Sequence, residues 1–238
     1  MLKHYQNLTD LYPFDQHSMI SLIGGGGKTT LLFALGEELS ATSSLVLSTT
    51  THMRYPQHLN PKQIVLQDDP EQMSNVLHQY HLCYIASTDT KNPDKVTKPS
   101  DHMARAMAKT ADYVIYEADG SRGLPIKCMA SHEPAVPKTT SLTIQVIGAT
   151  CLHHPAQEVL HRYEIAQERL GISPQEPIHT KQLITLALDN FRHCPTTAKL
   201  FIINQIDVGI SSQECHDIKT ALSPIPVLFL SLQDKTYL

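Results

Sequence analysis

Between Gly24 and Thr30 the chain reads Gly-Gly-Gly-Gly-Lys-Thr-Thr, directly after the apolar run Met19–Ile23 and directly before a helical pattern that starts at Leu31. Consecutive glycines cost backbone entropy and bring no side chain to a core, so such a run marks a turn whose backbone must stay bare. Strand, glycine turn and helix in this order place successive N–H groups, and the positive end of the helix, around one point. An anion fits there. On this reading Gly24, Gly25, Gly26 and Gly27 form the cradle. Lys28 reaches the outer phosphates of a nucleotide, the Thr29 hydroxyl completes a Mg²⁺ shell, and Thr30 opens the helix. Leu31, Leu32, Leu35 and Leu39 share one face and predict a helix over Thr29–Leu39.

The long phosphate-loop pattern has glycine six residues before its lysine, and Leu22 stands at that position. The shorter form, Gly24-x-x-Gly27-Lys28-Thr29-Thr30, resembles the phosphate loop of ATPases of the Mur-ligase type.

A chain of 238 residues is expected to form a single domain over 1–238, with a helical insertion or lid around 152–195. A net charge of −4 and an aromatic content of 6% without tryptophan argue against a nucleic-acid or membrane surface. Five widely spaced cysteines with no C-x-x-C pair read as reduced thiols. The first fifteen residues carry two aspartates and no apolar segment, so no signal peptide is expected, and a cytoplasmic location follows.

Three further strand ends carry candidate chemistry. Ser44–Ser48 reads as a strand running into Thr49-Thr50-Thr51-His52, which places Thr50 and His52 where open parallel sheets hold their ligands. Tyr113–Tyr116 leads into Glu117-Ala118-Asp119-Gly120-Ser121-Arg122-Gly123. A carboxylate at a strand tip opposite the loop threonine suits Mg²⁺. Glu117 and Asp119 share a face if the strand continues, and Asp119, nearer the tip, is the preferred ligand. Arg122 is placed to meet a phosphate or developing negative charge. Lys127, His132 and Glu133 sit on a proline-rich loop. Lys199–Asp207 is an apolar strand entering Asn204-Gln205-x-Asp207. In GTPases the related Asn-Lys-x-Asp reads guanine; with Gln205 in the lysine position, the base stays open between GTP and ATP.

Alternating strands and helices predict a doubly wound, mostly parallel α/β sheet with helices on both faces, P-loop NTPase-like in organisation. Polar Asp89–Pro99 reads as an exposed loop, Ser100 as the cap of a helix to Lys109, and Pro155–Leu170 and Thr180–Asn190 as helices.

Taken in order, the four-glycine loop with Lys28-Thr29-Thr30, the Ser-Thr-Thr-Thr-His-Met run, Glu-Ala-Asp-Gly-Ser-Arg-Gly-Leu-Pro-Ile-Lys with His132-Glu133-Pro134, and Asn204-x-x-Asp207 resemble the YqeC family over about residues 19–230. That resemblance implies an accessory role in maturing a selenium-dependent molybdenum hydroxylase or its cofactor. The leading expectation is Mg²⁺-dependent binding and hydrolysis of GTP or ATP, with Lys28 and Arg122 acting on the phosphates. The alternatives are an ATP-dependent ligase or kinase acting on a small cofactor precursor, and a non-catalytic nucleotide-gated carrier or chaperone.

Overall fold

The computed structural model describes residues 2–196 and 198–238. Strand β1 (Lys3–His4) and a lead-in that buries Phe14 precede β2 (Met19–Gly24) and α1 (Lys28–Leu39). The lead-in is tied to α1 by the Glu38 carboxylate, which accepts the N–H groups of Leu8 and Thr9 at 2.6 and 2.8 Å. Next come β3 (Leu45–Thr49), β4 (Met53–Arg54), β5 (Ile64–Val65), α2 (Pro70–Tyr80), β6 (Leu82–Ile85), β7 (Ser87–Thr88), β8 (Lys95–Thr97), α3 (Asp101–Thr110) and β9 (Tyr113–Glu117). The rest is β10 (Ile126–Lys127), β11 (Leu142–Gly148), α4 (Ala156–Val159), β12 (Leu160–His161), α5 (Tyr163–Leu170), α6 (Thr180–Arg192), β13 (Lys199–Asn204), α7 (Ser212–Leu222), β14 (Val227–Ser231) and β15 (Thr236–Tyr237).

The main sheet runs β1-β15-β14-β13-β11-β2-β9-β3-β6-β5. From β14 to β5 every pairing is parallel, and only β15 and β1 join antiparallel at one edge. The glycine-loop strand β2 has β9 on one side and β11 on the other. The chain winds outward in both directions from this pair, so ligands are expected at the carboxyl end of β2.

Alternation along each strand divides the core. Ile20, Leu22, Leu45, Leu47, Ile115, Ile144 and Ile202 face α1 and the lead-in. The opposite face is covered by α2 and α3 over Val46, Val114 and Tyr116, and by α4–α7 over Ile147, Phe201 and Ile203. Helices therefore cover both faces of a mostly parallel sheet, as the alternating pattern predicts.

Several local expectations change. The Asp89–Pro99 stretch is not all loop: β8 pairs with β7 and β4 in a small antiparallel sheet in which Val96 is buried. The helix expected over Pro155–Leu170 is broken into α4 and α5, because Leu160 and His161 pair with Ile126 and Lys127. The region around 152–195 connects the neighbouring strands β11 and β13, and Leu183, Leu186 and Phe191 of α6 pack into the core over the sheet. Helix α7 was not anticipated, although Ser211 and Glu214 form a capping box at its start. All five cysteines are free and buried. Among the described residues no helix is long and apolar enough to cross a membrane.

Candidate functional site

The loop closes at the carboxyl end of β2, held from three sides. Asp119 accepts the Gly24 N–H at 2.8 Å, Val146 O accepts that of Gly25 at 2.9 Å, and Leu124 O accepts that of Gly26 at 3.3 Å. Gly26 lies at φ +61 against β11, where a Cβ would run into the backbone of Ile147 and Gly148. Three of the four glycine amides thus serve to shape the loop. The donors facing outward belong to the helix start: Lys28, Thr29 and Thr30 lie in the first turn of α1, where no carbonyl four residues back within the helix can accept their N–H groups. The amides left over for an anion are therefore fewer than the four-glycine run suggests and lie at the helix end.

Lys28 is buried, with its Nζ 2.6 Å from Gly24 O and 3.1 Å from Asp119 Oδ1. Thr29 and Thr30 are exposed beside it. The Thr29 hydroxyl donates to Glu117 Oε2 at 2.7 Å. Strand β9 ends at Glu117, and the chain then turns, so the two-residue alternation expected to align Glu117 with Asp119 stops there. Glu117 meets the loop threonine. Asp119, which sequence spacing prefers as the metal ligand, passes beneath the loop instead and becomes the partner of Gly24 and Lys28. Burial raises the Glu117 carboxyl above its ordinary value, and the Lys28 charge followed by the Thr29 hydrogen bond pulls it back down.

Asp119 has a second cation. Lys127 Nζ lies 3.6 Å from Asp119 Oδ2, donates to Gly120 O at 2.6 Å and pairs with Glu133 at 2.8 Å. Glu133 in turn holds the Arg162 guanidinium through both nitrogens. Lys28, Asp119, Lys127, Glu133 and Arg162 therefore form a chain of alternating charge from the loop to the start of α5. Lys127 is fully buried, and that burial pushes its ammonium down to about 8. From the sequence, Lys127 and Glu133 read only as loop residues, and Arg162 carries no signal of its own.

The remaining candidates separate. Asn204 braces the loop, donating to Gly26 O at 2.8 Å and accepting the Leu232 N–H at 2.9 Å. Gln205, in the left-handed region at φ 64, accepts from the Thr150 hydroxyl at 2.9 Å. Asp207 is exposed, three residues past Asn204. Thr50 donates its N–H to Glu117 O at 3.0 Å, which ties the β3 tip to the carboxylate strand. His52 lies 3.4 Å from Asp89, with its side chain 63% exposed, just ahead of β4 in the small antiparallel sheet. Arg122 is exposed at φ 53 on the turn after Asp119.

Hard oxygen donors suit Mg²⁺, which takes one or two protein ligands and completes its shell with phosphate and water. The Thr29 hydroxyl and Glu117 carboxylate, in contact at the outer end of the loop, fit that requirement. Among the described residues there is no cluster of three or more His, Cys, Asp or Glu suited to an all-protein metal cage.

The family described as YqeC protein matches residues 20–164, which span the loop, Glu117, Asp119 and the whole charge chain. The uncharacterized protein YqeC of Escherichia coli strain K12 is 33% identical over 181 residues, covering 74% of this chain and 70% of that protein. Among solved structures, HypB from Helicobacter pylori in complex with nickel overlaps 96% of this chain and 85% of its own, at 9% identity and a TM-score of 0.39. An ATP complex of a McdA variant from Cyanothece overlaps 90% of this chain and 82% of its own, at 12% identity and a TM-score of 0.44. At these scores the likeness is one of loose overall overlap.

Proposed function

We propose that this chain, which belongs to the YqeC family, binds a nucleoside triphosphate with Mg²⁺ at the loop and hydrolyses it. The observation that carries this reading is the Thr29–Glu117 contact beside the buried Lys28 ammonium, at the N-terminus of α1. The first-turn N–H groups hold the phosphates. Lys28 exchanges Gly24 O and Asp119 for phosphate oxygen, while Lys127 remains to neutralise Asp119. Glu117 and the Thr29 hydroxyl hold Mg²⁺, which when bound neutralises charge developing on the phosphates. Arg122, on an exposed turn next to Asp119, supplies a further cation on the solvent side.

Phosphate release from GTP or ATP tests this. Release requires Mg²⁺ and falls by about tenfold or more in Thr29→Ala; no Mg²⁺-dependent release from either nucleotide overturns it. We assign base reading to Asp207, exposed in the turn that follows β13. Replacing it with alanine is expected to change the GTP-to-ATP binding ratio, and an unchanged ratio removes it from the base site.

We assign the turnover to maturation of a selenium-dependent molybdenum hydroxylase or its cofactor. This assignment rests on the resemblance carried by Glu117–Lys127 and His132-Glu133-Pro134.

A further inference from the structure

A cavity of about 280 Å³ opens on the face of the sheet opposite α1, between α3 and the segment from Pro137 to Thr139. Its volume sits at the small end of the range for small-molecule sites. Met19, Pro99, Ala104, Ala108 and Pro137 give it apolar walls. Tyr116 lines the cavity from β9 while only 3% exposed, and its hydroxyl makes no hydrogen bond among the described residues. Burial raises that phenol to about 12, so it remains a donor across the physiological range. The Thr50 hydroxyl oxygen, also on the lining, is buried without a partner. Buried polar groups ordinarily find partners, so the unpartnered Thr50 hydroxyl, with the unbonded Tyr116 hydroxyl on the same lining, points to an acceptor supplied from outside the chain.

At the rim stand Lys98 and Arg105, both exposed and neither in an ion pair among the described residues, against the single carboxylate of Asp101. Apolar walls, hydroxyls on the lining and cations at the mouth suit an acid with an apolar body. We propose that this cavity is a second ligand site taking a small aromatic or heteroaromatic carboxylate. Its carboxylate pairs with Lys98 and Arg105, and an acceptor on its ring or substituent meets the Tyr116 and Thr50 hydroxyls. The site is separate from the phosphate loop but joined to it. Thr49 and Thr50 form part of its lining, and both bond to Glu117 O, through the Thr49 hydroxyl at 3.1 Å and the Thr50 N–H at 3.0 Å.

The probe is 3-fluoro-4-methoxybenzoate, whose ether oxygen supplies the acceptor, with the uncharged 3-fluoro-4-methoxybenzamide as its counterpart, each titrated into the full chain and followed by fluorine NMR. Saturable binding of the acid, with the amide at least about tenfold weaker, is expected, since a charge-assisted contact is lost. Replacing both rim cations, Lys98→Ala with Arg105→Ala, weakens the acid by a similar factor, and Tyr116→Phe weakens it severalfold. Lys28→Ala leaves it unchanged. No saturable binding, equal binding of acid and amide, or insensitivity to the rim and Tyr116 variants overturns the proposal. Loss in Lys28→Ala also overturns it by placing the probe at the loop. A protein that fails to bind triphosphate but binds 3-fluoro-4-methoxybenzoate in this pattern sinks the nucleotide reading alone.

Discussion

Lys28→Ala is expected to lower triphosphate turnover on the order of a hundredfold or more, the scale of losing one preorganised charge at a reacting phosphate. The size follows from the placement of Lys28. Its stem lies in the protein, its ammonium rests on Gly24 O and Asp119, and the first turn of α1 opens beside it. A charge in so dry a position acts with little screening and needs little rearrangement to reach a phosphate. The fold should survive, because Asp119 keeps Lys127 and the Gly24 N–H. Phosphate release measured beside a thermal melt separates the two effects. Wild-type turnover in a folded Lys28→Ala protein would remove the loop from the chemistry.

Asp119→Ala has the opposite profile, with a large cost in stability. Asp119 is the one carboxylate shared by Lys28 and Lys127, and all three side chains are buried. Removing it leaves two cations facing each other and the Gly24 N–H without its acceptor, for a loss on the order of 3–5 kcal/mol at neutral pH. The pH dependence carries a second signature. Lys127 loses its proton near 8 in the folded chain, against an ordinary lysine value of 10.5. Between those values the unfolded chain binds more protons than the folded one, so Lys127 makes stability rise with pH across that window. The charge of Asp119 holds the Lys127 value up against burial. In Asp119→Ala the rise should therefore begin at lower pH than in the wild type. Urea unfolding from pH 7 to 10 reads both effects, and a variant as stable as the wild type with the same onset would deny the charge chain its role.

The parts of this arrangement that lie close together in the chain were legible before folding. Strand, glycines, Lys28-Thr29 and the leucine stripe of α1 follow one another, and each dictates its local geometry. What the sequence hid depends on where elements stop and on what meets from far apart. Two-residue spacing aligns Glu117 with Asp119 only while a strand continues, and β9 ends at Glu117. That turn sends Asp119 under Gly24 and leaves Glu117 facing the Thr29 hydroxyl. Likewise nothing local in Pro155–Leu170 signals a break. Leu160 and His161 leave the helix because Ile126 and Lys127 offer a strand partner, and this pairing sets Arg162 beside Glu133. Short strands such as β7 and β8 escape notice because two or three residues, with Val96 alone buried among them, form no pattern. The Tyr116 cavity was invisible for a related reason: its lining comes from five separate stretches of chain.

If Glu117 and Thr29 form the metal end of a nucleotide site, titrating GTP and ATP into wild type and Glu117→Gln, each with and without Mg²⁺, reads it out. Mg²⁺ is expected to tighten triphosphate binding to the wild type, while Glu117→Gln still binds the nucleotide but gains nothing from the ion. An equal Mg²⁺ gain in both proteins, or no triphosphate binding by either, would contradict that assignment.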